Sequence, residues 1–196
     1  MGHSALKNNT TGAGNIGIGQ FTLYDNETGA SNVAIGHYAL ENSTVSNNVA
    51  IGYYALKANT TGSWNTAVGT YALDANTTGQ TNCALGYQTL TANTTGNDNV
   101  AIGHEAMETN TTGARNVAIG RDALEQNNAN ENVAIGYLAM EDNTTGTRNT
   151  ALGTFALEYN TDSNITAVGY QAMGNYTTGD SCVAVGEQAF DANTTG

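Results

Sequence analysis

Asn116-Val-Ala-Ile-Gly-Arg-Asp-Ala-Leu124 and Asn132-Val-Ala-Ile-Gly-Tyr-Leu-Ala-Met140 are two copies of one pattern. Aligning the chain on their central glycine returns that pattern from end to end: Gly2, Gly19, Gly36, Gly52, Gly69, Gly86, Gly103, Gly120, Gly136, Gly153, Gly169 and Gly186. Eight of the eleven spacings are 17 residues and three are 16. The unit reads Asn-x-Ala-aliphatic-Gly-x-x-Ala-Leu-x-x-Asn-Thr-Thr-Gly-x-x. The short units follow Leu40, Leu124 and Leu157, and their loops lack the loop glycine. Length changes only there, so the loop is on the surface and the Val-Ala-Ile-Gly segment is the framework.

A repeat of this length is too short for paired helices, which need thirty or more residues. Val117 and Ile119 stand two apart, the strand period, and are β-branched. Gly120 permits a bend, Ala123-Leu124 opens a second short stretch, and Asn-Thr-Thr-Gly closes the coil with its glycine at positive φ. The expected fold is therefore all-β: a parallel β-solenoid of twelve coils, each with two short strands and two turns. At strand spacing its eleven rises give a rod about 53 Å long. The whole of 1–196 reads as one repeat domain. The repeat phase begins at once and stops inside a loop, as expected for a segment of a longer fibre protein.

Strand alternation sorts the columns. The residue before the glycine is aliphatic in every complete coil, the one three before is mostly Val, and the one four after is Leu, Met or Phe throughout. These three are expected to fill the interior. The residue two before is alanine in ten of eleven complete coils: Ala34, Ala50, Ala67, Ala84, Ala101, Ala118, Ala134, Ala151, Ala167 and Ala184. Alternation sets it on the opposite face. A water-facing column should tolerate Lys, Glu or Thr, so confinement to a methyl group predicts close approach by another copy of the chain.

These residues resemble the head repeats of trimeric autotransporter adhesins, whose unit is Asn-Ser-Val-Ala-Ile-Gly; Asn48-Val-Ala-Ile-Gly52 and Asn132-Val-Ala-Ile-Gly136 match it without the serine. Asn65-Thr-Ala-Val-Gly69 and Asn149-Thr-Ala-Leu-Gly153 are more similar still to the arrays of bacterial and phage tail-fibre-domain proteins. The resemblance spans the chain. It implies a left-handed β-roll, three chains side by side, and an extracellular fibre or adhesin stalk on a bacterial surface or a virion. The longer coil and the Asn-Thr-Thr-Gly loop depart from the adhesin heads.

Composition agrees with a scaffold. The chain carries 24 glycines and no proline, which suits strands that must donate on both sides. A net charge of −12, with five basic residues against seventeen acidic, repels nucleic acid and anionic membranes. No stretch approaches the roughly 20 apolar residues of a membrane span.

Candidate chemistry is sparse, and no catalytic residue, cofactor or metal ligand is expected. The asparagine four before the glycine recurs in nine of eleven complete coils and reads as an amide ladder. His3, His37 and His104 share a variable column with Tyr, Thr and Arg and read as exposed positions. Cys83 and Cys182 lie six coils apart, far beyond disulfide reach, and read as buried thiols. Glu41, Asp74, Glu108, Glu125, Glu141, Glu158 and Asp191 share the position five after the glycine and read as a solvated face. Tyr38, Tyr53, Tyr54, Tyr71, Tyr87, Tyr137 and Tyr170 fall one or two after it and suit either a glycan or protein partner or packing between coils. Asn9, Asn59, Asn76, Asn93, Asn110, Asn143 and Asn193 also read as N-glycosylation acceptors, although the regular spacing speaks first for turn chemistry.

Three functions compete. A structural or adhesive fibre segment fits best. An ice-binding solenoid is the alternative, because Thr60-Thr61, Thr77-Thr78, Thr94-Thr95 and Thr111-Thr112 stack in register. Adjacent threonines in a strand point to opposite faces, which weakens a flat array. A glycan-degrading tailspike would need paired carboxylates about 5–10 Å apart in a cleft, whereas the acids here are peripheral and variable.

Overall fold

A computed structural model of the chain describes residues 2–175 and 181–191. Eleven three-residue strands, from β1 (Ile16–Ile18) through β7 (Val117–Ile119) to β11 (Val183–Val185), form a single sheet in sequence order. All neighbours are parallel and in strict column register: Ile16 pairs Val33, Gly17 pairs Ala34, and Ile18 pairs Ile35. Each coil thus stacks on the next, and the ten strand-to-strand steps span about 48 Å at 4.8 Å each. The chain is a β-solenoid, and no helix occurs among the described residues.

Each coil has one strand rather than two. The expected second strand is a string of tight turns. Ala55 N–H donates to the Gly52 carbonyl and Lys57 N–H to the Tyr54 carbonyl, at 3.4 and 3.1 Å. Tyr54 and Leu56, the third residues of these turns, have φ of 63° and 52°, the type II signature. The same two positions, and a third five before the framework glycine, are left-handed in nearly every described coil, even where the residue is Leu, Tyr, Phe or Met. Such residues resist φ > 0. Stacking holds them there: Tyr54 N–H reaches His37 O at 3.0 Å and Leu56 N–H reaches Ala72 O at 3.1 Å, so inter-coil bonding continues around the turns.

The framework glycine has φ between 131° and 144° from Gly19 to Gly186. From Gly19 to Gly169 a Cβ there would also collide with the carbonyl oxygen of the next framework glycine. Both facts exclude side chains. The loop glycine is different. Gly62, Gly79 and Gly96 are not at positive φ, contrary to the expectation for that turn. Their Cβ would strike the neighbouring coil's carbonyl and the loop asparagine, so the constraint is close approach.

The Leu and Met column four after the glycine is interior, as expected, but the two faces of the strand are reversed. All ten strand alanines, Ala34, Ala50, Ala67, Ala84, Ala101, Ala118, Ala134, Ala151, Ala167 and Ala184, are buried inside the single chain. Facing them are the alanine three after the glycine and the Leu or Met four after, as at Ala123 and Leu124. Gly17 shows why only a methyl fits: a Cβ there would sit 3.3 Å from Leu6 Cδ1 and 3.0 Å from Thr22 Oγ1. The alanine column is narrow because a leucine of its own chain stands opposite. It is not an interchain face. The aliphatic columns one and three before the glycine point outward, Ile18 52% and Ile16 49% exposed and most of the others half-buried.

Candidate functional site

The outward strand face is a ribbon two columns wide. Val33 and Ile35, Val49 and Ile51, Val100 and Ile102, Val117 and Ile119, and Val133 and Ile135 stack rung on rung, with Thr66, Cys83, Thr150 and Thr166 filling the remaining Val positions. None of the ribbon residues is charged, in a chain of net charge −12. Cys83 belongs to this face and is half-buried, not an interior residue. Cys182 stands in the inner asparagine column and packs against the core, half-buried as well. Neither thiol is in a disulfide.

Beside the ribbon, past the glycine bend, runs an edge of rings. Phe21 and Tyr38 stack at 5.1 Å, Tyr38 meets Tyr54 at 5.2 Å, and Tyr54 meets Tyr71 at 5.7 Å. Tyr53 lies 4.2 Å from Tyr54, and Lys57 Nζ sits 4.3 Å above the Tyr54 ring. Farther along, Tyr137, Phe155 and Tyr170 form an edge-to-face series at 5.5 and 6.0 Å. Such pairs contribute about 0.5–1.5 kcal/mol each beyond burial. Tyr38, Tyr54 and Tyr71 are half-buried in this packing, while Tyr53, Tyr87, Tyr137 and Tyr170 keep an exposed surface.

The acidic column lies below the rings. Partial burial, the largest effect, raises the carboxyls of Glu41, Asp74, Glu108, Glu125 and Glu141. Neighbouring acids push in the same direction, Glu105 and Asp122 on Glu108, and Asp142 and Glu125 on Glu141.

Of the three histidines, His3 and His104 are exposed and His37 is half-buried against Tyr38 and Tyr53. His104 does not stand alone. Its Nδ1 is 3.2 Å from Glu105 Oε2 and 4.0 Å from Asp122 Oδ1. One ligand atom from each of the three falls within 4.8 Å of the others, and among the described residues no other group of three His, Cys, Asp or Glu does so.

The asparagine column of the framework is a ladder of a specific kind. The backbone N–H of Asn65 donates to Asn48 Oδ1 at 3.0 Å, and Asn65 Nδ2 donates to the Gly79 carbonyl at 2.8 Å. A second ladder, not anticipated from the sequence, is made by the Asn-Thr-Thr-Gly asparagines. Asn76 Nδ2 donates to Asn59 Oδ1 at 2.9 Å, Asn93 to Asn76 at 2.8 Å, and Asn110 to Asn93 at 3.0 Å. Asn59, Asn76, Asn93, Asn110 and Asn143 are fully buried and Asn9 is half-buried, so these amides are structural and not presented for glycosylation. Asn193 lies outside the described residues. The ladder's signal was its persistence: Asn127 and Asn160 keep the position in two of the three short loops, and Ser43 takes it in the third.

The threonine pairs divide their roles. Thr60, Thr77 and Thr94 donate their hydroxyls to the carbonyls of Thr77, Thr94 and Thr111 at 3.0 Å. The second threonines, Thr61, Thr78, Thr95 and Thr112, are all exposed, whereas of the first ones Thr60 is exposed and Thr77, Thr94 and Thr111 are half-buried. A flat ice-binding face with two free hydroxyl columns is therefore not formed by these pairs. No family model, no curated protein and no solved structure matches the chain.

Proposed function

We propose that this chain is a non-catalytic, self-assembling segment of an extracellular fibre or surface adhesin, with the outward Val/Ile ribbon as the face between copies. One observation carries the reading: an uncharged ribbon, mostly Val, Ile and Thr with Cys83, Leu85 and Leu152 interspersed, runs along all eleven strands on the outward face of the single chain. Monomers rarely leave a continuous apolar patch of that extent uncovered. Parallel sheets are ordinarily covered on both faces, and the interior side is already filled by alanine and leucine. A second copy is the occupant of choice, because it presents the same columns at the same coil spacing and adds no charge to the contact.

Three copies, and a place outside the cell, are what the resemblance to trimeric adhesin heads and tail-fibre repeats implies. The exposed tyrosines Tyr53, Tyr87, Tyr137 and Tyr170 then sit beside the shared face, available to a glycan or protein partner. Their rungs differ chemically from coil to coil, so each contact is weak and adds up through multivalency.

The test is a charge placed on the ribbon. Val117→Lys and Ile135→Lys should shift the chain from oligomer to monomer in light scattering while far-UV circular dichroism stays unchanged, since neither side chain enters the core. Unchanged association in both variants overturns the proposal.

A further inference from the structure

We infer that His104, Glu105 and Asp122 form a binding site for one borderline divalent transition-metal ion of the zinc or cobalt(II) type. Glu105 and Asp122 occupy the same column, two after the framework glycine, in consecutive coils. Elsewhere that column stacks rings, as Phe21 on Tyr38 on Tyr54. Here it stacks two carboxylates one coil apart, and like charges directly opposite on stacked strands repel.

Asp122 makes the arrangement costlier still. The residue is 6% exposed, and its Oδ1 is buried with no hydrogen-bond partner. Arg121 Nε holds the other oxygen, Oδ2, at 3.0 Å. Oδ1 is thus the free lone-pair donor, and it looks toward His104 Nδ1 at 4.0 Å. His104 is itself oriented: its ring stacks on Tyr87 at 5.3 Å with 29° between the planes. Three donors converge, one nitrogen and two oxygens, all within 4.8 Å of each other. Ligands bound at about 2.0–2.2 Å to a tetrahedral ion stand roughly 3.5 Å apart, so small side-chain rotations close the set. Imidazole with carboxylates suits zinc and its neighbours, whereas calcium and magnesium prefer all-oxygen shells. Water completes the coordination on the exposed side of His104.

The position gives the ion something to do. The ligands bridge the Gly103 and Gly120 coils, and the second of these is a short one. There the buried asparagine ladder breaks, leaving Asn110 Oδ1 without a partner. A metal bridge across the same two coils ties the stack at one of the steps where the ladder is interrupted, as it also is beside Asn26 Oδ1. All three ligands belong to one chain, so the site does not depend on self-assembly.

Isothermal titration with zinc chloride, with cobalt(II) visible absorption as the coordination signature, tests this on the full chain near neutral pH. The expected result is one ion per chain, a thermal midpoint raised by zinc, and no such rise with calcium. His104→Ala, an exposed substitution that leaves the fold intact, should abolish the cobalt bands. Glu105→Gln should weaken binding by more than the roughly tenfold loss of an outer partner. Equal zinc uptake by the parent and His104→Ala, stabilisation by calcium in preference to zinc, or no cobalt(II) absorption bands with the parent chain would each overturn the inference.

Discussion

Asn76 Nδ2 donates to Asn59 Oδ1 at 2.9 Å, one coil away, and to the Gly79 carbonyl of its own loop at 3.0 Å. A single buried amide therefore closes its loop and ties it to the preceding coil. Asn76→Ala strands the buried Asn59 Oδ1, at a cost of about 1–3 kcal/mol, while the Gly79 carbonyl keeps its bond from Asn65 Nδ2. Chemical denaturation should show a loss in that range or above it. Gln126→Ala, on an exposed loop residue outside the ladder, should cost less.

Ala118 and Ile119 are adjacent and face opposite ways. Ala118→Leu overfills a space already taken by leucines and should destabilise the coil stack by about 1–3 kcal/mol. Ile119→Ser should leave the dissociated chain nearly as stable while weakening association. Denaturation and light scattering on the pair separate the inner from the outer face. If Ala118→Leu weakened association and spared stability, the assignment of the two faces would be reversed.

The period, the framework glycine and the parallel stacking are legible in the sequence because each recurs at fixed spacing. The direction of the faces is not. Alternation says that Val117 and Ile119 share one side and Ala118 the other, and nothing more. The decision lies in the turns. Leu124 has φ of 51°, so it and Ala123 both enter the interior, which no strand-period rule anticipates. With that volume filled, only a methyl remains for the strand. The His104 cluster was hidden for a related reason: His104 and Glu105 are sequence neighbours, but Asp122 joins them only through the stacking of two coils.

Carboxyls raised by burial bind protons more tightly folded than unfolded. Their stabilising effect is fully present below the ordinary values of 3.8 for Asp74 and 4.5 for Glu41, Glu108, Glu125 and Glu141, and is lost as pH rises through the folded values. The chain should therefore melt higher near pH 5 than near pH 7. Glu125→Gln with Glu141→Gln should shrink that difference, and an unchanged difference would show that the column is not its source.

The ribbon is the central claim, and the mass of the particle in solution tests it most directly. Sedimentation equilibrium on the 20.2 kDa chain, over a wide concentration range, should return a stable multiple of the chain mass, with three copies the expected number. A single-chain mass at every concentration would mean that the Val/Ile face is left to water, and would contradict the account.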